Sequence, residues 1–252
     1  MHLSPDMPES ESLHRLRKTL AGLGNPTRGA LAERFFKTGP GQYAEGDRFL
    51  GIPVPELRRL VREHRSIPPE EASLLVRSPW NEERLCGLLL WMEAWKAAKA
   101  KGLPELESRD RKRQIKTLLL EHKSRLNNWN LVDTAVPTLL GEWLLEFPDP
   151  SLLENLAASK SLWDRRIAVL ATFAFIRADR FEECFRLCEA LLDDPEDLMH
   201  KACGWMLREA GKRDIAALRQ FLSNHASRMP RTMLRYAIEK MTPQERARWM
   251  GA

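Results

Sequence analysis

Three side chains on two predicted helices are suited to stabilising a positive charge. Trp129 stands four residues before Asp133, which on a helix places the indole and the carboxylate one turn apart on the same face. Trp205 stands four residues after Lys201 and shares a face with that cation by the same arithmetic. A carboxylate attracts a cation directly, and the face of an indole ring attracts it through the ring quadrupole. We therefore take Asp133, Trp129 and Trp205 as candidate catalytic residues.

A short element with a polar, a small and an apolar residue recurs about every 33 to 49 residues. Repeats of about this length, built from helical pairs, are typical of HEAT-like α-solenoids. If the repeats stack, their cations form a basic row along one concave surface, where they could contact phosphates. The copies are Arg84-Leu-Cys-Gly, Asp133-Thr-Ala-Val, Arg166-Ile-Ala-Val, Lys201-Ala-Cys-Gly and Arg235-Tyr-Ala-Ile.

Asp133 is the acidic member of this otherwise basic series. Taken alone, a carboxylate among cations is more simply explained as part of a structural ion pair. The neighbouring Trp129 favours a functional role instead. A surface with cations, two indoles and one acid can bind phosphates and a cationic group together, which suits a positively charged lesion in DNA.

The elements that must position these residues are predicted to be helices. The chain has only 13 Gly and 2 Tyr, and few Val, Ile or Thr runs that could pair as strands. Residues 39–53 are rich in turn formers and predict a structured loop. Apolar periodicity predicts a first helix ending near Gly22, a second after Pro26, a third opened by Pro55, and others at about 68–77, 81–101, 108–126, 130–146, 151–158, 161–177, 180–192, 196–211, 214–225, 230–241 and 243–250.

These observations predict an all-α fold, a right-handed α-solenoid (superhelix) of HEAT-like helical repeats. We expect a single domain over residues 10–252 after a flexible N-terminus, residues 1–9. The net charge of +5 is compatible with a polyanionic partner. Four cysteines, no apolar run of membrane-spanning length and no secretory leader predict a cytoplasmic protein without disulfides.

Other chemistries lack a motif. The six histidines include no His-x-x-x-His pair and no cysteines at zinc spacing, so we expect no metal site. There is no Gly-rich phosphate loop after a strand and no Gly-x-Ser-x-Gly elbow, which argues against nucleotide hydrolysis and serine-esterase chemistry. We expect no cofactor.

The chain resembles the AlkD-type DNA alkylation repair family of HEAT-like alkylpurine DNA glycosylases. The resemblance covers about residues 10 to 245. The segments that carry it are Tyr43 through Phe49-Leu-Gly-Ile-Pro53-Val-Pro55 with Arg58, Trp129-Asn-Leu-Val-Asp133-Thr-Ala-Val-Pro137-Thr-Leu-Leu-Gly141, Trp163-Asp-Arg-Arg166-Ile-Ala-Val-Leu and Lys201-Ala-Cys-Gly-Trp205-Met-Leu-Arg208-Glu.

This resemblance implies hydrolysis of the N-glycosidic bond of cationic N3- or N7-alkylated purines in double-stranded DNA, without drawing the lesion into a pocket. It implies that Asp133 is the catalytic carboxylate, that Trp129 and Trp205 line the DNA cleft, and that Arg166 contacts a phosphate. Further DNA contacts are expected from Tyr43, Lys201, Arg208, Arg84 and Arg235. Pro53 stands where a side-chain donor is expected in some relatives, which bears on the contact to the opposite strand.

Duplex DNA with alkylated purines is thus the expected partner. We expect no membrane and no obligate protein partner, a monomer, and association with the nucleoid while bound to DNA. One alternative is a non-catalytic HEAT-like protein that binds damaged or branched DNA. Another is a protein-interaction solenoid, which predicts an apolar or mixed concave face and is disfavoured by the basic row.

Overall fold

The computed structural model describes residues 9–251, which form helices joined by turns and loops. No β-strand occurs among these residues; strand-type pairing is represented there by one isolated bridge between Arg48 and Trp80. The all-α prediction is therefore confirmed. The chain divides after Leu131 into two compact units. The predicted flexible segment 1–9 falls outside the described residues except for Glu9, and the single domain over 10–252 stays a prediction.

The first unit contains helices whose starts follow capping signals. Ser10 accepts a hydrogen bond from the Leu13 amide and Asn25 one from the Arg28 amide, which satisfies amides that have no partner within the helix. α5 packs against α3, α4 and α6. The helices are α1 (Glu11–Leu23), α2 (Pro26–Phe35), α3 (Val54–Glu63), α4 (Pro69–Val76), α5 (Asn81–Ala97) and α6 (Glu105–Glu121), followed by a 3₁₀ turn (Lys123–Arg125).

The predicted loop lies between α2 and α3, and hydrogen bonds to a side chain of α5 fix its backbone. The carboxylate of Glu82 accepts hydrogen bonds from the amides of Leu50 (2.9 Å) and Gly51 (2.8 Å). Gly51 has φ +78°, and a Cβ there would lie 2.4 Å from the carbonyl oxygen of Asn25. Only glycine fits this left-handed, close-packed position without strain. The loop is therefore a fixed part of the first unit.

Arg84 is buried and paired within the protein, which argues against the prediction that it contacts DNA. Its side chain is 2 % exposed and forms an ion pair with the buried Asp47. Asp47 also accepts hydrogen bonds from the amide groups of Asn81 (2.9 Å) and Asn128 (3.0 Å). A buried guanidinium must be paired with a charge or with several acceptors, and here it anchors the loop to α5. No phosphate can reach it in this arrangement.

The second unit is built around two long helices, α10 and α12. α10 packs against α9, α11 and α12, and α12 packs against α13 and α14. α7 begins before the division at Leu131 and ends after it. The helices are α7 (Trp129–Val136), α8 (Glu142–Glu146), α9 (Pro150–Ala157), α10 (Leu162–Arg177), α11 (Glu182–Ala190), α12 (Asp197–Arg213), α13 (Ile215–His225), α14 (Arg231–Ala237) and α15 (Pro243–Met250).

The segment predicted as one helix over 130–146 contains a wider turn in its middle. A π-helical turn, Pro137–Gly141, connects α7 to α8. Pro137 has no amide hydrogen, so the regular hydrogen bond to residue 133 is missing, and a π-turn accommodates the gap. The turn packs against α10, where a Cβ on Gly141 would lie 2.4 Å from the carbonyl oxygen of Ala171.

Each helix between residues 9 and 251 is too short or too polar to span a membrane.

We expect Gly204→Ala to destabilise the protein, because α12 and α14 touch at this glycine. A Cβ at Gly204 would lie 2.5 Å from both the Met233 carbonyl oxygen and the Tyr236 Cβ. Overpacking of this kind typically costs about 1–3 kcal/mol. Gly22→Ala is the control, since a Cβ there meets nothing within 4 Å and alanine favours the helix. Thermal unfolding should separate the two, and an equal melting temperature for Gly204→Ala and the parent would contradict this packing.

Candidate functional site

Asp133 and Arg166 form a two-point ion pair within the second unit. Arg166 Nε donates to Asp133 Oδ1 and Nη2 donates to Oδ2, both at 2.8 Å. Asp133 lies on α7 and Arg166 on α10. The guanidinium is 6 % exposed and the carboxylate 17 % exposed. Two parallel charge-assisted hydrogen bonds fix the plane of the carboxylate as well as its position.

The same guanidinium also reaches α12. Arg166 Nη1 donates to the Leu198 carbonyl oxygen at 2.6 Å, in the first turn of that helix. The preceding residue, Arg165, binds the loop before α12 by an ion pair in which its Nε lies 2.6 Å from an Asp194 carboxylate oxygen. Adjacent residues of α10 thus hold the start of α12, while one of them also orients Asp133.

Burial and the ion pair have opposite effects on Asp133. Burial raises the pKa of Asp133 above its usual range, and the hydrogen bonds and charge of Arg166 oppose this by lowering it. Burial is the larger of the two effects. Arg166 therefore favours the ionised form of the carboxylate, against the effect of burial.

The contacts of Arg166 argue against the phosphate contact predicted for it. Its fork faces Asp133 and its remaining contact is the Leu198 carbonyl, so it presents no open edge to a phosphate. The structural interpretation of Asp133, as the partner in an ion pair, describes its main contact. The Asp133 side chain nonetheless stays 17 % exposed. A partly accessible carboxylate can still interact with a ligand, which a fully buried ion pair could not do.

Trp205 lies on α12 with a second aromatic ring beside it. Its ring centroid is 5.9 Å from that of Phe173, and the Arg177 guanidinium carbon lies 4.2 Å over the Phe173 ring. Trp205 Nε1 donates to Glu209 at 3.1 Å. The Trp205 side chain is partly buried, and a hydrogen bond to Glu209 and a ring contact with Phe173 set the orientation of its indole. Sequence reasoning missed Phe173.

The predicted cations of the second unit differ in availability. Lys201 is partly exposed and pairs with Asp197 at 2.6 Å. Arg208 is mostly buried and pairs with Glu239. Arg235 on α14 is exposed, as is Arg231 one turn earlier. Arg231 was missed by the sequence analysis, although its i, i+4 spacing from Arg235 was a usable signal.

Trp129 belongs to an aromatic cluster in the first unit. Its Nε1 donates to the Tyr43 hydroxyl at 3.3 Å, and its ring lies 4.9 Å from Phe36 and 6.0 Å from Phe35. Phe36 in turn stacks on Phe49 at 4.7 Å. The loop therefore supplies Tyr43 and Phe49 to support the indole. The pair Phe35-Phe36 was not singled out from the sequence, where two adjacent aromatic residues were the available signal.

Trp129 and Asp133 share α7, four residues apart, as the spacing predicted. Asp133 supplies a carboxylate held by an ion pair, and Trp129 supplies a half-buried indole. Neither group needs a metal ion to attract a cation. Among residues 9–251 no three His, Cys, Asp or Glu side chains converge as they would around a metal ion. The four cysteines are buried and unpaired by disulfides. Asp133 and Trp129 can each stabilise positive charge, the carboxylate by direct attraction and the indole by cation–π attraction.

Comparisons with known proteins identify the family. The family model described as DNA alkylation repair enzyme matches residues 16–241. A solved structure described as a predicted DNA alkylation repair enzyme from Enterococcus faecalis is similar, with a TM-score of 0.65 and 16 % identity over 87 % of this chain and 97 % of that one. That likeness is one of fold and agrees with an all-α, HEAT-like architecture. A comparison with curated protein sequences finds no significant match. The chain belongs to the DNA alkylation repair enzyme family.

Proposed function

We propose that this protein is a DNA glycosylase that hydrolyses the N-glycosidic bond of cationic N3- and N7-alkylated purines in duplex DNA. The observation that carries the proposal is the Asp133 carboxylate, held through both of its oxygens by the Arg166 guanidinium and still partly accessible. Family membership supports action on alkylated DNA. The carboxylate and the two indoles account for the chemistry.

The chemistry follows from the charge on the substrate. An N3- or N7-alkylated purine carries a positive charge in its ring, so it departs readily without a strong general acid. The barrier lies in the positive charge that builds on the deoxyribose as the bond breaks. Asp133 stabilises that charge and orients the attacking water, as carboxylates do for oxocarbenium-like transition states. Trp129 and Trp205 add cation–π attraction, worth about 1–2 kcal/mol where water is excluded.

In this mechanism Arg166 is a positioning residue. It fixes the plane of the carboxylate and favours its ionised form, and its contacts are to Asp133 and Leu198. Binding of the DNA backbone is assigned to the partly exposed Lys201 and the exposed Arg231 and Arg235, with Tyr43 beside Trp129. Non-catalytic binding of damaged DNA is the competing function, and the first experiment below separates the two.

Asp133→Asn should bind DNA normally and excise about 10²-fold or more slowly, because an amide has similar size but lacks the charge. The assay is a duplex with one N7-methylguanine, followed by alkaline cleavage of abasic sites, beside an undamaged duplex. Asp194→Asn is the matched control, since it breaks the neighbouring buried ion pair with Arg165. It should lose stability and retain excision. Absence of excision by the parent protein would favour the non-catalytic function.

Excision should fall at low pH as Asp133 is protonated, and the acid limb should lie above the usual range for an aspartate because burial raises its pKa. Arg166→Gln removes the effect that lowers this pKa, so the limb should move to still higher pH. Arg165→Gln is the control on the same helix and should leave the limb in place. The salt dependence of DNA binding should be the same for all three proteins, since Arg166 is buried. An unmoved limb in Arg166→Gln would remove its positioning role.

Lesion charge should decide the substrate. N3-methyladenine and N7-methylguanine should be excised, whereas hypoxanthine and ethenoadenine should not, because the proposed mechanism has no group to protonate a neutral purine. Replacing Trp129 and Trp205 by Ala should slow excision of the cationic lesions, with the helical circular dichroism signal retained. Comparable release of hypoxanthine and N7-methylguanine from matched duplexes would show that a general acid takes part, and would rule out the charge-dependent mechanism.

A further inference from the structure

We propose that the outer face of α2, made of Leu31 and Phe35 between Arg28 and Arg34, is a contact surface for duplex DNA in which Phe35 packs as an apolar wedge into the minor groove. The inference rests on the proposed function for its choice of partner. It concerns a helix and side chains to which the catalytic chemistry above gives no role.

Leu31 and Phe35 are large apolar side chains that are exposed to solvent. Their exposed fractions are 59 % and 67 %, and they lie one turn apart on α2. Single exposed apolar residues are common, but two on one helical face form a continuous patch. Helix α2 therefore presents apolar surface for which the described protein supplies little cover.

The orientation of this face is fixed by the opposite side of the helix. A Cβ on the buried Gly29 would lie 2.7 Å from the Phe49 carbonyl oxygen, so α2 is pressed directly onto the loop backbone. Gly29 and Leu31 are two residues apart, about 200° around the helix, which turns Leu31 away from that contact. A rotation of α2 about its axis that buried Leu31 and Phe35 would break the close contact between Gly29 and the loop backbone.

The patch continues into the aromatic cluster of the candidate site. The Phe35 ring meets Trp129 edge-on, with centroids 6.0 Å apart and planes at 71°, and meets Phe36 at 5.0 Å and 88°. Phe35 thus contacts the indole of Trp129 and still exposes 67 % of its surface. A partner that lies against Trp129 would also meet Phe35.

The charges around the patch favour a polyanion. Arg28 and Arg34 are exposed and flank the apolar pair on the helical wheel, and Lys37 follows the helix with φ +54° and is also exposed. Glu33, the acidic residue of α2, lies on the other side, where it lines a groove of about 410 Å³ with Arg48 and Trp80. Apolar wedges flanked by cations are typical of proteins that enter the minor groove and bend the duplex.

A wedge of this kind would serve the proposed reaction. Partial unstacking beside the lesion loosens the alkylated base and bends the duplex toward the protein, without a pocket for a flipped base. The contribution of α2 is then to DNA binding and distortion, while the bond is broken at Asp133. This division of roles makes the two proposals separable by experiment.

The test compares Leu31→Ala, Phe35→Ala and their double variant with Leu106→Ala. Leu106 is the matched control because it is 69 % exposed on α6, also in the first unit. Fluorescence anisotropy measures affinity for undamaged and N7-methylguanine duplexes, and 2-aminopurine beside the lesion reports unstacking. We expect roughly tenfold weaker binding and a smaller 2-aminopurine signal for the double variant, and parental values for Leu106→Ala. All melting temperatures should stay close to that of the parent.

Leu31→Ala keeps the inference testable if Phe35→Ala disturbs Trp129, because Leu31 lies one turn from Phe35 and is 59 % exposed. Phe35→Leu should retain most of the affinity because leucine also serves as a wedge. Parental DNA affinity in the double variant would overturn the inference. So would self-association of the parent, seen by sedimentation, that the double variant loses while its DNA affinity is unchanged. The proposed glycosylase activity is tested separately, by comparing excision by the parent protein with excision by Asp133→Asn.

Discussion

The second unit depends on one buried guanidinium. Arg166 binds both carboxylate oxygens of Asp133 on α7 and the Leu198 carbonyl at the start of α12, so a single side chain from α10 joins three helices. Removing a carboxylate from water raises its pKa, and only a nearby positive charge with good geometry offsets that cost. The ion pair thus connects the helices and also lowers the pKa of Asp133 against the effect of burial. Its partial exposure on the carboxylate side is what allows a structural ion pair to serve chemistry.

The first unit solves a similar problem with a different network. Asp47 is buried and receives hydrogen bonds from Arg84, Asn81 and Asn128, while Glu82 receives the loop amides. These contacts fix the irregular loop, and Glu82 satisfies the backbone amides of Leu50 and Gly51. The loop carries Tyr43 and Phe49, which support the Trp129 cluster. Buried polar groups in this unit therefore position aromatic surface, whereas in the second unit they position a charge.

The net charge of +5 gives little guidance on which cations meet a partner. Arg84, Arg165 and Arg166 are held by carboxylates inside their units, and Arg208 is paired near the surface. The exposed cations include Arg231 and Arg235 on α14 and Arg28 and Arg34 on α2. A protein that binds a polyanion needs both kinds, since the buried pairs hold the geometry and the exposed groups contact phosphates.

The sequence by itself determined the helices, the loop at 39–53 and the spacing of Trp129 and Asp133, because these depend on local periodicity, turn residues and proline. It also carried the family resemblance, through short motifs that the family match confirms. Tertiary structure alone decided which repeated cations are buried: Arg84 and Arg235 occupy equivalent sequence positions, yet one meets Asp47 and the other meets water. It also brought Phe35 and Phe173 beside the two indoles. Contacts between residues distant in sequence depend on how helices pack, and a local pattern contains no record of that packing.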